Sequence, residues 1–195
     1  MTWLALTLAA YLLGSLPAGV LVGYAVLGRD IRAAGSGHSG ATNTIRQAGW
    51  LAGALVLILD VGKGALALWL ARQWGDALSA PALAAGAVVA GHCWPVFAGF
   101  RGGMGLATAG GALLVLFPLG FAAALGALIA AAFILKHSAR SAFAIGLAAA
   151  PLMWALGAPP GTIAAMAAAG LILAVRARSD WNRHQRAVWA VKPPE

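Results

Sequence analysis

The chain has 195 residues, of which 62% are hydrophobic and 9% charged, and its formal net charge is +8. A soluble domain carries about a quarter charged residues, so there are too few charges here to coat a soluble core, and a polytopic membrane protein is expected. The single cysteine, Cys93, excludes an intramolecular disulfide and a multi-cysteine metal site, and it reads as a small buried apolar residue.

The first element is an apolar run over about 3–27. No residue before Leu27 is charged, so the basic start of a cleavable signal is missing and a first membrane helix is expected. Residues 28–50 follow as a polar loop rich in glycine, serine, threonine and arginine. Further apolar runs lie at about 51–71, 77–98, 104–117, 118–135, 142–157 and 160–176. With about 17–25 residues needed to span, these predict an all-α polytopic bundle of about seven helices. Phe117-Pro118 and 157–161 mark tight turns. Residues 177–195 form a basic tail, and 1–195 reads as one integral membrane unit.

Charge orients the helices. The loops after helices 1, 3, 5 and 7, with the tail, hold Arg29, Arg32, Arg46, Arg101, Lys136, Arg140, Arg176, Arg178, Arg183, Arg186 and Lys192, whereas the opposite loops hold only Arg72. The positive-inside rule puts the rich side in the cytoplasm, the N-terminus outside and the C-terminus inside. The basic residues are thereby read as topology signals and partners of anionic lipid, not of nucleic acid. The Gly-x-x-x-Gly spacings at Gly19/Gly23, Gly49/Gly53 and Gly99/Gly103 allow close helix approach.

Three stretches carry possible chemistry. In the first, Gly35, Gly37 and Gly40 make a Gly-x-Gly-x-x-Gly pattern that follows no strand, so the dinucleotide reading fails, and no Gly-Lys-Ser/Thr ending makes it a nucleotide loop. Glycines can still turn N–H groups toward an anion, with hydroxyls from Ser36, Ser39 and Thr42. Arg32 and Arg46 are placed to complete a phosphate site; the alternative is a flexible interfacial loop. In the second stretch, Asp60 and Lys63 sit three apart inside an apolar run and share a helix face. Ionisable groups at that depth are costly and mark function, as a structural pair or as a ligand site facing an inner pocket. In the third, His92 precedes Gly102, Gly103 and Gly105, which stand just before a helix start, where anions are favoured. His92 is a candidate acid or base, or a hydrogen-bonded structural group. All three stretches can reach one face, which suggests an anionic, phosphorylated substrate. The acids are few and separated and the four histidines lack ligand spacing, so neither metal nor cofactor is expected.

Taken in order, YLLGSLPAG at 11–19, GSGHSGATN at 35–43 with Arg46, Asp60-x-x-Lys63-Gly64, Gly91-His92-x-x-Pro95-x-Phe97 and Gly102-Gly103-x-Gly105-x-Ala107-Thr108 resemble the bacterial acyl-phosphate:glycerol-3-phosphate acyltransferase (PlsY) family. The resemblance is close over about 10–110. It implies a seven-helix enzyme of the bacterial inner membrane with its motif loops on the cytoplasmic side. The implied reaction passes an acyl chain from acyl phosphate to the first hydroxyl of glycerol 3-phosphate, giving lysophosphatidate and inorganic phosphate. Neither coenzyme A nor acyl carrier protein is then a direct donor. The resemblance implies Ser36 and His92 as catalytic. It implies Gly35, Gly37, Gly40, Thr42, Asn43, Arg46, Lys63, Gly102, Gly103, Gly105, Thr108 and Asn182 as substrate-binding, and Arg101 is added for its charge. A substrate phosphate is an alternative base to His92. A monomer is compatible with seven helices enclosing a site.

The chain departs from the family pattern at His38, where asparagine is usual, at Met104, where lysine is usual, and at Ser179, where histidine is expected. The lysine matters most: a charge-assisted hydrogen bond is worth roughly 1.5–3 kcal/mol. Arg101 or His38 is placed to compensate. The other reading is a weak or inactive paralogue that binds or transports a phosphorylated metabolite. Transport fits poorly, because the polar residues cluster toward one face.

Overall fold

The computed structural model describes residues 2–182, so Arg183, Arg186 and Lys192 of the expected basic tail lie outside the described residues. Eight α-helices occur among them: α1 Thr2–Gly14, α2 Ala18–Leu27, α3 Ala41–Trp74, α4 Ser79–Cys93, α5 Leu106–Leu116, α6 Pro118–Leu135, α7 Ser138–Ala155 and α8 Pro160–Arg178. α1 and α2 form one pass broken at Pro17, where the ring removes an N–H and pushes Leu16 out of helical geometry. Counted this way, the described residues make seven helical segments.

Five segments are long and apolar enough to cross a bilayer: Trp3–Leu27, Ala41–Trp74, Ser79–Ala98, Pro118–Leu135 and Pro160–Arg178. Two expectations are therefore corrected. The run at 104–117 yields only the 11 residues of α5, about 16 Å at 1.5 Å per residue, half a bilayer. Non-helical chain on either side of so short a helix is tolerated at depth only inside protein, and α5 packs between α3, α4, α6 and α8. The loop expected over 28–50 ends at Gly40. Residues 41–48 are helical, and Gly49 (φ 85°, ψ 175°) kinks the chain into the long span that follows.

Glycine sets how closely α3 approaches α5. A Cβ on Gly64 would overlap the Thr108 carbonyl, and one on Gly111 would overlap the Val61 carbonyl. Bilayers give helices little hydrophobic reason to associate, so such backbone contact is what packing relies on. The three Gly-x-x-x-Gly spacings serve loops instead. Gly19 lies against the Ser39 carbonyl, Gly53 against Ile45 across the kink, and Gly103 against the His92 ring.

Side-chain bonds bring the loops after α2 and α4 and the end of α8 together at one end of the bundle. Arg32 reaches the Ala98 and Arg101 carbonyls, Arg176 the Gly103 carbonyl, and His38 the Asp180 carboxylate. Trp181 stacks edge-on to Phe143 near the start of α7. These are the segments that the charge count had grouped. Gly161, at the start of α8, touches the Ala77 carbonyl at the other end.

Candidate active site

The first loop is braced from both sides. Asp30 caps a single 3-10 turn over Ile31–Ala33 and accepts from the Arg32 backbone N–H and from its Nε and Nη2. Those hydrogen bonds hold the Asp30 carboxyl below the usual carboxylate range and raise Arg32. Arg32 Nη1 donates to the Ala98 and Arg101 carbonyls at 2.7 Å each. Its guanidinium is thus occupied in joining two loops and does not line the cavity, contrary to its expected place in a phosphate site.

Asn43 organises the same loop from inside. Its Oδ1 accepts from the Ser36 N–H at 2.9 Å, and its Nδ2 donates to the carbonyls of Ile31, Ala34 and His38. Gly35 and Gly37 take left-handed conformations (φ 65° and 70°), and a Cβ on Gly35 would strike Asn43 Oδ1. Gly40 caps the helical segment 41–48. The Asn43 and Thr44 N–H groups donate to the Gly40 carbonyl, and those of Ala41 and Thr42, ahead of the first helical bond, favour an anion. Thr42 and Arg46, four apart, share one face of this segment.

Deeper in, Asp60 is the centre of a buried cluster. Lys63 Nζ lies 2.8 Å from Asp60 Oδ1 and donates to the Leu16 carbonyl at 3.2 Å. His92 Nδ1 lies 3.3 Å from the same carboxylate oxygen. The Gly102 and Gly103 N–H groups donate to the Cys93 and His92 carbonyls, folding the third stretch back on α4. A Cβ on Gly103 would overlap His92 Nε2, so the imidazole is held between that glycine and Asp60.

A cavity of about 500 Å³ connects these groups. Its polar end is lined by Ser36, His38, Gly40, Thr42, Asn43, Arg46, Asp60, His92, Met104 and Gly105. The rest is apolar, running between α5, α6, α7 and α8 past Leu113, Phe121, Leu128, Ile145, Met166 and Leu173. A site of this form can hold an anionic head and a hydrocarbon tail at once.

Of the sequence-derived candidates, Ser36, Gly40, Thr42, Asn43, Arg46, His92 and Gly105 line the cavity, and Gly35, Gly37, Gly102 and Gly103 shape the turns behind it. Lys63 does not line it: the ammonium faces Asp60 and Leu16, and it is the acid that meets the cavity. Thr108 is fully buried, with its carbonyl against Gly64 and its hydroxyl without a hydrogen-bond partner. Arg101 is exposed and contributes its backbone carbonyl to Arg32. Asn182 is exposed at the end of the described residues, outside the lining.

Sequence reasoning read Asp60 as half of a pair or ligand site with Lys63, and gave no site role to Arg176 or Asp180. The signal was their scarcity: the chain has five acids, and each acid among the described residues is engaged, Asp76 by capping the start of α4. Among the described residues, no group of three His, Cys, Asp or Glu side chains converges as a metal site would require.

Known proteins resemble this chain in sequence and in fold. The sequence model of the family described as glycerol-3-phosphate acyltransferase matches residues 4–187. A glycerol-3-phosphate acyltransferase of Laribacter hongkongensis (strain HLHK9) is 41% identical over 180 residues, covering 90% of this chain and 89% of that one. One of Jannaschia sp. (strain CCS1) is 44% identical over 180 residues, covering 90% and 86%. The crystal structure of PlsY (YgiH), an integral membrane glycerol 3-phosphate acyltransferase in its glycerol 3-phosphate form, superposes with a TM-score of 0.83 at 30% identity, covering 94% of this chain and 92% of that chain. Its lysophosphatidic acid form gives 0.81 at 28%.

Proposed function

This chain belongs to the glycerol-3-phosphate acyltransferase family, and from that premise we propose that its cavity transfers an acyl group from acyl phosphate to the 1-hydroxyl of glycerol 3-phosphate. The products are lysophosphatidate and inorganic phosphate, at the start of phospholipid synthesis. The observation that carries the reading is the two-part cavity, polar at Ser36, Arg46 and His92 and apolar between α5 and α8.

Acyl phosphate is a mixed anhydride and needs no covalent acyl-enzyme. The hydroxyl oxygen attacks the carbonyl carbon, the bond from that carbon to the bridging oxygen breaks, and the oxygen leaves as part of inorganic phosphate. His92 takes the hydroxyl proton, and Asp60 beside it stabilises the imidazolium that forms. Thr42, Arg46 and the N–H groups at the start of the 41–48 segment hold phosphate oxygens. Ser36 orients the hydroxyl. Bringing the two reactants together in this way is worth several kcal/mol of barrier. The charge distribution favours a cytoplasmic site in the bacterial inner membrane.

The direct test is phosphate release from palmitoyl phosphate by the purified protein, with and without glycerol 3-phosphate. We expect release that depends on glycerol 3-phosphate, together with lysophosphatidate. Turnover only after Met104→Lys would instead mean a frame disabled at that position. Silence from both, in folded protein, would overturn the catalytic reading.

A further inference from the structure

We propose that His38 is a phosphate-binding residue of this site, positioned by Asp180, and that it supplies the cationic donor that the apolar side chain of Met104 cannot. The inference rests on the acyltransferase reading for its ligand, and on three observations for its geometry.

The first is position. His38 and Met104 both line the polar end of the cavity, with Ser36, Arg46 and His92. The second is a chain of contacts. Asp180 Oδ2 accepts from His38 Nε2 at 2.7 Å and lies 3.4 Å from Arg176 Nη1. Arg176 Nε in turn donates to the Gly103 carbonyl at 3.1 Å. The imidazole is thereby tied through two side chains to the residue just before Met104, although it comes from a different loop. All three side chains are largely buried, at 10%, 7% and 13% exposure for His38, Asp180 and Arg176. The bonds are thus little weakened by water, unlike those of a surface pair.

The third is charge. A phosphate monoester brings about −1.5 to −2. Among the cations nearby, Arg46 lines the same cavity but supplies one charge, Lys63 and His92 already face Asp60, and Arg32 is consumed by Asp30. With His38 protonated, the His38–Asp180–Arg176 group carries two cations against one carboxylate. A carboxylate on Nε2 fixes that nitrogen as a proton carrier and orients the ring. On this proposal the phosphate oxygen meets the cavity-lining ring away from its Asp180 contact. Asp180 touches no substrate and acts as a positioning residue.

The experiment uses the full chain in detergent. It compares the parent, His38→Gln, Asp180→Asn and the double variant His38→Gln/Met104→Lys. Calorimetry reads the affinity for glycerol 3-phosphate and for inorganic phosphate, and turnover reads KM for each substrate and kcat. The expected result is that His38→Gln weakens phosphate affinity about tenfold to a hundredfold, with a smaller change in kcat. Asp180→Asn should give a smaller loss in the same direction. A lysine at 104 should restore most of the affinity in the His38→Gln background, which a merely structural role for His38 would not permit.

A rise confined to the KM of palmitoyl phosphate assigns His38 to the donor's phosphate, and a rise in the glycerol 3-phosphate constants assigns it to the acceptor's. Unchanged constants in His38→Gln overturn the proposal, as does a loss that lysine fails to restore in protein of unchanged Tm. If His38→Gln does not fold, Asp180→Asn with and without Met104→Lys decides by the same criteria. Phosphate affinity that depends on His38 without any acyl transfer would sink the acyltransferase reading alone; acyl transfer indifferent to His38 would sink this inference alone.

Discussion

His92 is held on both sides by residues whose small size or charge has one evident use. Gly103→Ala would push a methyl into Nε2 and turn the ring away from the cavity. Misplacing a catalytic group by about 1 Å costs on the order of a hundredfold, so kcat should fall by about that factor while KM for glycerol 3-phosphate moves little in steady-state assays. Asp60→Ala acts on stability, because it strands a buried Lys63. Breaking one partner of a buried pair costs about 3–5 kcal/mol, and the Tm of the purified variant should drop accordingly, with Asp60→Ala/Lys63→Met recovering most of it. Asp30 contributes in the opposite environment, at the loop surface. Its folded-state pKa lies below the ordinary 3.8 because Arg32 hydrogen-bonds the carboxylate. Its stabilisation is therefore complete above that value and is lost as pH falls through the lower folded value. The Tm gap between the parent and Asp30→Asn should narrow as pH is taken from about 5 to about 3 (limits chosen to bracket the ordinary value near 3.9). At this scale the sequence was partly readable. The three-residue spacing announced the Asp60–Lys63 pair, but nothing local could announce that His92, from α4, would join it, or that the pair would turn its acid rather than its lysine toward the cavity.

α3 shows where pattern reading misses an element. Residues 28–50 are polar enough to read as one loop, yet 41–48 form helix because Gly40 caps it and Ile45 gives it an inner face against Gly53. The Gly49 conformation belongs to a region of backbone space essentially restricted to glycine, where other residues cost about 1–3 kcal/mol. Gly49→Ala should lower the Tm by the equivalent amount. It should also raise KM, because Thr42 and Arg46 ride on the displaced segment; the check is the ratio of KM to kcat changes. α5 was misread for a different reason. An apolar run of 14 residues looks like a short span, but Met104 and Gly105 go to the turn before it and Phe117 to the break after it, and the 11-residue helix that remains reaches only about halfway. By contrast α6 was read to the residue, since Pro118 starts it and Lys136 ends it with a left-handed cap.

For the molecule as a whole, the charge asymmetry was readable because it depends only on which loops lie together, and these loops meet in the structure. The native Cys93 is buried, so the chain is suited to labelling from either side with a membrane-impermeant maleimide. Arg101→Cys should label only in inverted vesicles, and Gln73→Cys, exposed near Arg72, only in right-side-out vesicles. The reverse pattern would overturn the inferred orientation. The cavity itself was not readable, because its walls come from α3, α5, α6, α7 and α8 and no single run carries a signature of an empty space.

The braces on the 94–105 loop have a consequence for how this protein can change over time. Arg32 and Arg176 grip it through the main-chain carbonyls of Ala98, Arg101 and Gly103, not through its side chains. A main-chain carbonyl is supplied by any residue. Gly102, Gly103 and Gly105 aside, where an added Cβ would strike His92 or Cys93, the loop's shape is therefore insulated from substitution at its side chains, and position 104 is free to lose or regain a charge without the turn collapsing. Drift at the chemistry is decoupled from drift in the scaffold, so a single codon can tune the enzyme's appetite for anions while the bundle stays as it is.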